Sequence, residues 1–403
     1  MKNRASSITA HGMIAATLSI MAACSHSAQQ TGNDLEFPDI DVSENYPQET
    51  TYIQDIGEIE YIPLELTDSS MLGTPTITMT AKHFLTSNSE GNVIVYNRDG
   101  NLRNTFNHKG QSGTEYTYID QLLTDPESEE VYVVDKMMSR VQKYDLDGRF
   151  LGTIAIPGNL FQDLFYLKDG TLLSIDRKNV ADEDLRKQYG VNETPYLIID
   201  DSGQPTQLPY RLKDPVSDLL MYSSGNSAAG ISLWVAPAAR IGSQVIISEA
   251  SEDTIYAISD ATRTPILAKH NTHPANGSPT LTAIDGINTR FVLIYALEKE
   301  IDMNRMSAPE PAMFIYDHKN PGWKRTTLAN RDITDDAAQK TRPRYRLSAS
   351  NHALADGYMA QVLSAETLCE LRDNGSLTGA LSEAAADLNE DSNPVLMLVR
   401  LKE

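Results

Sequence analysis

This 403-residue chain predicts an all-β fold, a six-bladed β-propeller with four-stranded blades, on three observations. From Ile56 onward, apolar and polar residues alternate with period two between Gly, Asp, Asn and Pro, the pattern of short strands rather than helices. A turn pattern recurs as Tyr96-Asn-Arg-Asp-Gly, Tyr144-Asp-Leu-Asp-Gly, Ile199-Asp-Asp-Ser-Gly, Ile258-Ser-Asp-Ala and Tyr316-Asp-His-Lys-Asn-Pro-Gly, at gaps of 48, 55, 59 and 58 residues. A repeat of that length holds about four short strands, the size of one blade. Finally, a spare strand at about 56–65 precedes the first repeat, and the chain ends on an apolar strand, Pro394–Lys402. Pairing the two would close the ring without a free edge.

The elements follow in chain order. Lys2 and Arg4 precede a mostly apolar run, Ile8–Ala23, too short to span a bilayer comfortably, so residues 1–23 are expected to be a signal peptide. The run ends Ile20-Met21-Ala22-Ala23-Cys24, which resembles a lipobox, with Cys24 as the lipidated residue. Cys369 is the only other cysteine, so a lipidated Cys24 leaves no internal disulfide. Residues 24–54 are polar and are expected to be a flexible tether, and 55–403 the propeller domain. Blades are expected at about 75–106, 117–155, 161–209, 231–269 and 279–329. The sixth starts near Tyr345 and includes Gly357–Leu363 and the last strand. Each Asp-Gly supplies the positive φ of a tight hairpin joining a blade's last two strands.

The combination of Tyr61-Ile-Pro-Leu-Glu65, Gly110-Gln-Ser-Gly-Thr-Glu-Tyr116, Tyr144-Asp-Leu-Asp-Gly148 and Asn393-Pro-Val-Leu396 resembles the NHL-like six-bladed β-propeller lipoproteins of Bacteroidota. The resemblance spans the mature body and implies the fold and an outer-membrane lipid anchor facing periplasm or cell surface. It implies little about activity, since that family is largely without an assigned function. Where it usually reads Gly-Gln-Gly-Pro-Gly-Glu-Tyr, Ser112-Gly113-Thr114 here stands in place of Gly-Pro-Gly.

With 34 basic and 55 acidic residues the net charge is −21, the wrong sign for a nucleic-acid binder or a general anionic-membrane binder. The membrane is therefore reached through the anchor alone, and the body is expected to be a monomer. Strand order puts the loops joining strands two and three, and those joining successive blades, on one face. Five long segments fall there, 177–193, 211–230, 298–311, 330–344 and 364–393, and mark it as the decorated face. Within them 180–189 and 378–388 carry helical pattern.

Candidate ligand-binding residues on that face are Glu115 and Tyr116 in the blade one–two loop and the loop-end arginines Arg140, Arg177, Arg305 and Arg344, which could pair with an anionic ligand. Trp234 offers a stacking platform for a sugar or other flat ligand. Each has a packing alternative, as an inter-blade aromatic or ion pair. No His-Glu-x-x-His, Gly-x-Ser-x-Gly, Walker loop or Cys-x-x-Cys occurs, so no catalytic residue, protein-bound metal or cofactor is expected. The leading expectation is a non-enzymatic propeller binding a small ligand, carbohydrate among the candidates, or an envelope protein. The alternatives are a lactonase-, lyase- or glycosidase-like enzyme with a carboxylate or Ca²⁺-type divalent centre in the channel, and an envelope assembly scaffold.

Overall fold

A computed structural model of the chain describes residues 35–403, apart from 74, 126, 157–161, 177–195, 211, 213–215, 217–218, 225–226, 233–237, 242, 261, 301–308, 336–337 and 339–356. The sheets are the expected blades. Blade one is β4–β7 (Thr78–Met79, His83–Ser87, Val93–Asn97, Leu102–Phe106) and blade two β8–β11 (Gln121–Thr124, Val131–Asp135, Arg140–Tyr144, Phe150–Ala155). Blade three is β12–β15 (Gln162–Tyr166, Leu172–Asp176, Tyr196–Ile199, Pro205–Gln207) and blade four β18–β21 (Ala238–Ile241, Gln244–Ile247, Thr254–Ser259, Thr262–His270). Blade five is β22–β25 (Thr280–Ile287, Phe291–Glu298, Ala312–Asp317, Asn320–Ala329). In blade six, β26 (Tyr358–Leu363) and β27 (Val395–Leu401) pair with β3 (Gly57–Pro63). The first strand of blade six, expected near Tyr345, lies outside the described residues. A hairpin, β16–β17 (Leu219–Ser224, Ser227–Ser232), occupies part of the long segment between blades three and four.

Alternation along each strand builds the ring, because successive side chains point to opposite faces and here both faces are covered. Val93 and Val95 pack toward blade two with Val131 and Val133, whereas Ile94 and Tyr96 pack toward blade six with Leu396 and Leu398. Tyr132 and Val134 face blade three, Leu173 and Ile175 face blade four, and Ile246 faces Val292 and Ile294 of blade five. Phe291 and Leu293 then meet Met397 and Val399 of blade six. Six apolar clusters fill six blade interfaces, and this is where most of the stabilising burial lies. Closure is as expected: β27 runs antiparallel to β3, from Val395 opposite Pro63 to Leu401 opposite Gly57.

The tether boundary is corrected by the structure. From Leu35 the chain is not a free linker but a strap along the outer rim. In it, β1 (Ile40–Asp41) pairs parallel with β21 and β2 (Gln48–Tyr52) pairs parallel with β25. Phe37 and Ile40 enter the cluster between blades four and five, and Ile53 and Ile56 that between five and six. Trp323 Nε1 donates to the carbonyls of Pro38 (3.2 Å) and Asp39 (2.9 Å). Phe37 and Ile40, and likewise Ile53 and Ile56, stand three residues apart, but the twelve residues between the two pairs are mostly polar, so the segment as a whole has a linker's composition. Only the grooves between blades give the anchors a partner.

The recurrent Gly has a second role besides its turn. Gly100, Gly148 and Gly203 have φ of +85°, +83° and +82°, and a Cβ there would meet Pro63 O at 2.1 Å, Phe106 at 2.7 Å and Ala155 O at 2.7 Å. Each turn is therefore pressed against the outer strand of the preceding blade.

Lys269 is fully buried between blades four and five, its Nζ donating to Glu249 O (2.8 Å) and Thr282 Oγ1 (3.1 Å). Burial pulls its pKa down to about 8, against the opposing charges of Glu249, Glu252 and Asp253. The unfolded chain holds that proton to about pH 10.4. The lysine therefore weighs against folding below pH 8, and the cost is relieved as pH rises from 8 towards 10. Urea unfolding is expected to show stability rising by up to ~2–3 kcal/mol across this window. In Lys269→Met that rise should disappear, and an unchanged rise would refute the assignment.

Candidate functional site

A cleft of about 510 Å³ opens on the face carrying the inter-blade connections, over blades one to three. Antiparallel alternation within the blades brings its lining to one place from five connections. The lining includes Thr76 ahead of β4, Asn88 and Ser89 between β5 and β6, Tyr118 and Asp120 ahead of β8, Lys136 between β9 and β10, and Asp163 at the start of β12.

A buried carboxylate organises this corner. Asp135, at the end of β9, has no exposed surface and accepts from Thr117 N (2.7 Å), Thr117 Oγ1 (2.9 Å) and Met138 N (3.2 Å). Three residues after Thr117, Asp120 N donates to Val134 O (2.9 Å) and Asp120 Oδ2 accepts from Lys136 N (2.7 Å). Tyr118 is thus held between two fastened residues, with its side chain 55 % exposed. Lys136 reaches across to Asp163 (3.5 Å), tying blade two to blade three. On the other wall, Asn88 closes its own turn by accepting from Asn92 N (3.1 Å) and donates to Met71 O (3.4 Å). Met71, Met137 and Met138 are exposed in these same connections.

Glu115, Tyr116 and Arg140, the expected ligand-binding residues that the structure describes, lie outside the lining of this cleft. The Gly110–Tyr116 loop lies over the third strand of blade two, β10. Three alternate residues of β10 hold it: Arg140 donates to Glu115 O (2.6 Å), Gln142 to Gly113 O (2.9 Å) and Glu115 O (2.8 Å), and Tyr144 to Thr114 O (2.7 Å). Glu115 caps its own loop by accepting from Ser112 N (2.8 Å), a bond that lowers its pKa. Tyr116 is fully buried, its hydroxyl donating to Gly91 O (2.7 Å) and accepting from His108 N (3.0 Å). The geometry of Glu115, Tyr116 and Arg140 is thus that of loop packing. Arg177, Trp234, Arg305, Arg344 and Cys24 lie outside the described residues.

Of the long segments, 364–393 forms helices Ala365–Asp373 and Gly379–Ala384, which pack Leu368, Leu371 and Leu381 against Ile333 and Val395 on blade six. Among the described residues, no three His, Cys, Asp or Glu side chains are grouped to hold a metal ion.

The cleft is built from the connections ahead of β4, β8 and β12 and between β5 and β6 and β9 and β10, none of them among the five long segments. One signal was available: Met137-Met138 stand in a four-residue turn, where turn chemistry favours Gly, Asn or Asp.

Among curated proteins, no sequence matches this chain. A crystal structure of a protein from Bacteroides fragilis, described as exported, superposes with a TM-score of 0.62 at 16 % identity, covering 89 % of this chain and 99 % of its own. A member of the DUF4221 family from Bacteroides vulgatus does so with a TM-score of 0.47 at 9 % identity, covering 86 % and 97 %. The first of these likenesses is one of fold. In sequence, the family described as domain of unknown function DUF4934 matches residues 37–400, nearly the whole described body, and the chain belongs to that family.

Proposed function

We propose that this chain is an exported, lipid-anchored propeller that binds a small ligand in the cleft over blades one to three and does not transform it. The observation that carries the reading is the cleft itself, a polar concavity of about 510 Å³ lined from three blades, within the size range of small-molecule sites. Its two carboxylates already serve the frame: Asp120 accepts from Lys136 N and Asp163 pairs with Lys136 Nζ. The export reading is supported by the basic start, apolar run and lipobox-like Ala22-Ala23-Cys24, and by the exported description of the Bacteroides fragilis relative in fold. Glu36 O meets His318 in the hairpin joining the last two strands of blade five, on the face opposite the cleft.

The test places an environment-sensitive dye on Ser89→Cys, in the cleft, and on a control, Leu151→Cys, on the outer strand of blade two. Both are titrated with panels of sugars, short peptides and dicarboxylates. A saturable response at position 89 alone is expected. No response from any panel, or equal responses at both positions, would refute a cleft binder.

A further inference from the structure

Resting on the cleft reading above, we infer that the ligand is a neutral saccharide, seated with a pyranose face on the ring of Tyr118. Three features of the cleft point to this class.

The first is charge. Among the lining residues, Lys109 and Lys136 balance Asp120 and Asp163, so the cleft is formally neutral in a chain of net charge −21. A cationic ligand would find no local excess of carboxylate to recognise it. An anionic one would approach against the field of the whole protein and find Lys136 already engaged by Asp163.

The second is the platform. Tyr118 is the aromatic residue of the lining, and its exposed side chain stands between Thr117 and Asp120, which are both fastened to β9. Leaving such a ring in water forgoes the burial available to it, and a Tyr ring on a backbone already held has few rotations left to lose on contact. The axial C–H face of a pyranose matches it, being apolar and flat.

The third is the ring of partners. Asp120 uses Oδ2 for Lys136 N, and no bond to Oδ1 is among its described interactions. Asn88, Ser87 and Ser89 stand on the opposite wall, and the exposed Lys109 lies over Gly91 beside them. A mixture of fixed acceptors and donors without net charge suits hydroxyl groups, each of which both gives and takes a hydrogen bond.

The probes are neutral disaccharides (glucose-, mannose-, xylose- and N-acetylglucosamine-based) and their polymers, beside uncharged tripeptides and a sugar acid. Binding is measured by calorimetry and by saturation-transfer NMR on full-length protein. At least one neutral saccharide should bind, with transfer strongest to its ring C–H protons. Tyr118→Ala should weaken it at least tenfold, Tyr118→Phe less than threefold, and Asp120→Asn severalfold. Circular dichroism checks that each variant folds. The inference is overturned if no neutral saccharide binds, or if binding survives Tyr118→Ala. Tripeptide or sugar-acid binding lost in Tyr118→Ala would overturn the saccharide class while keeping the cleft. Silence from every probe would sink both.

Discussion

Ile40→Asp is expected to detach the N-terminal strap and lower stability by ~4 kcal/mol, since a carboxylate cannot enter the groove and the strap's buried apolar contacts are lost with it. Ile40 has no exposed surface and sits with Phe37 and Trp323 in the cluster between blades four and five. A charge there drives the chain out of the groove. The Trp323 indole then loses the Pro38 and Asp39 carbonyls, and β21 loses its parallel partner. Because the strap is joined to the body through two short parallel pairings, release can occur locally before the ring opens. Limited proteolysis should therefore cut between Val42 and Pro47 well before any other site, while near-ultraviolet circular dichroism changes only where Trp323 reports. Unchanged cutting together with an unchanged urea midpoint would show that the strap contributes nothing.

Asn393→Ala is expected to destabilise the ring closure by about 3–4 kcal/mol, since several buried polar groups lose their partner at once. Asn393 is 2 % exposed. Its Nδ2 donates to Glu65 O (2.9 Å) and Ser70 O (2.8 Å), and its Oδ1 accepts from Leu72 N (2.9 Å). One amide thus fastens the connection leaving β3 to the residue two before β27, where these two strands close the ring. Asn393→Asp should be at least as damaging, because a carboxylate can accept from Leu72 N but only repels the two carbonyls. Urea midpoints of both variants against wild type decide it, and a loss under 1 kcal/mol in either would refute the clamp.

That clamp also accounts for two of the motifs that stood out in the sequence. Tyr61-Ile-Pro-Leu-Glu65 and Asn393-Pro-Val-Leu396 lie 328 residues apart along the chain yet hydrogen-bond to each other, from Asn393 Nδ2 to Glu65 O. Gly110–Tyr116 is likewise a loop that β10 holds down through Arg140, Gln142 and Tyr144. Eye-catching residues in a repeat protein serve the repeat first. Asp145, for example, accepts from the Asp147 and Arg149 amides (3.0 and 2.8 Å) and keeps the blade-two turn in shape.

What the amino-acid order determined by itself was the architecture: six blades, the limits of blades one, two, three and five, and the pairing of β3 with β27. These follow from interactions that are local or periodic. Period-two alternation sets which face each residue takes, Asp-Gly sets where a hairpin turns, and repetition of both counts the blades. The strap and the cleft were decided only in three dimensions. Phe37 and Ile40 enter one groove and Ile53 and Ile56 another, so the two pairs share no continuous period and only the grooves identify them as anchors. The cleft draws Thr76, Asn88, Tyr118, Lys136 and Asp163 from five separate connections. Neighbours in space that are this far apart in sequence leave no linear pattern, and only the closed ring brings them to one rim.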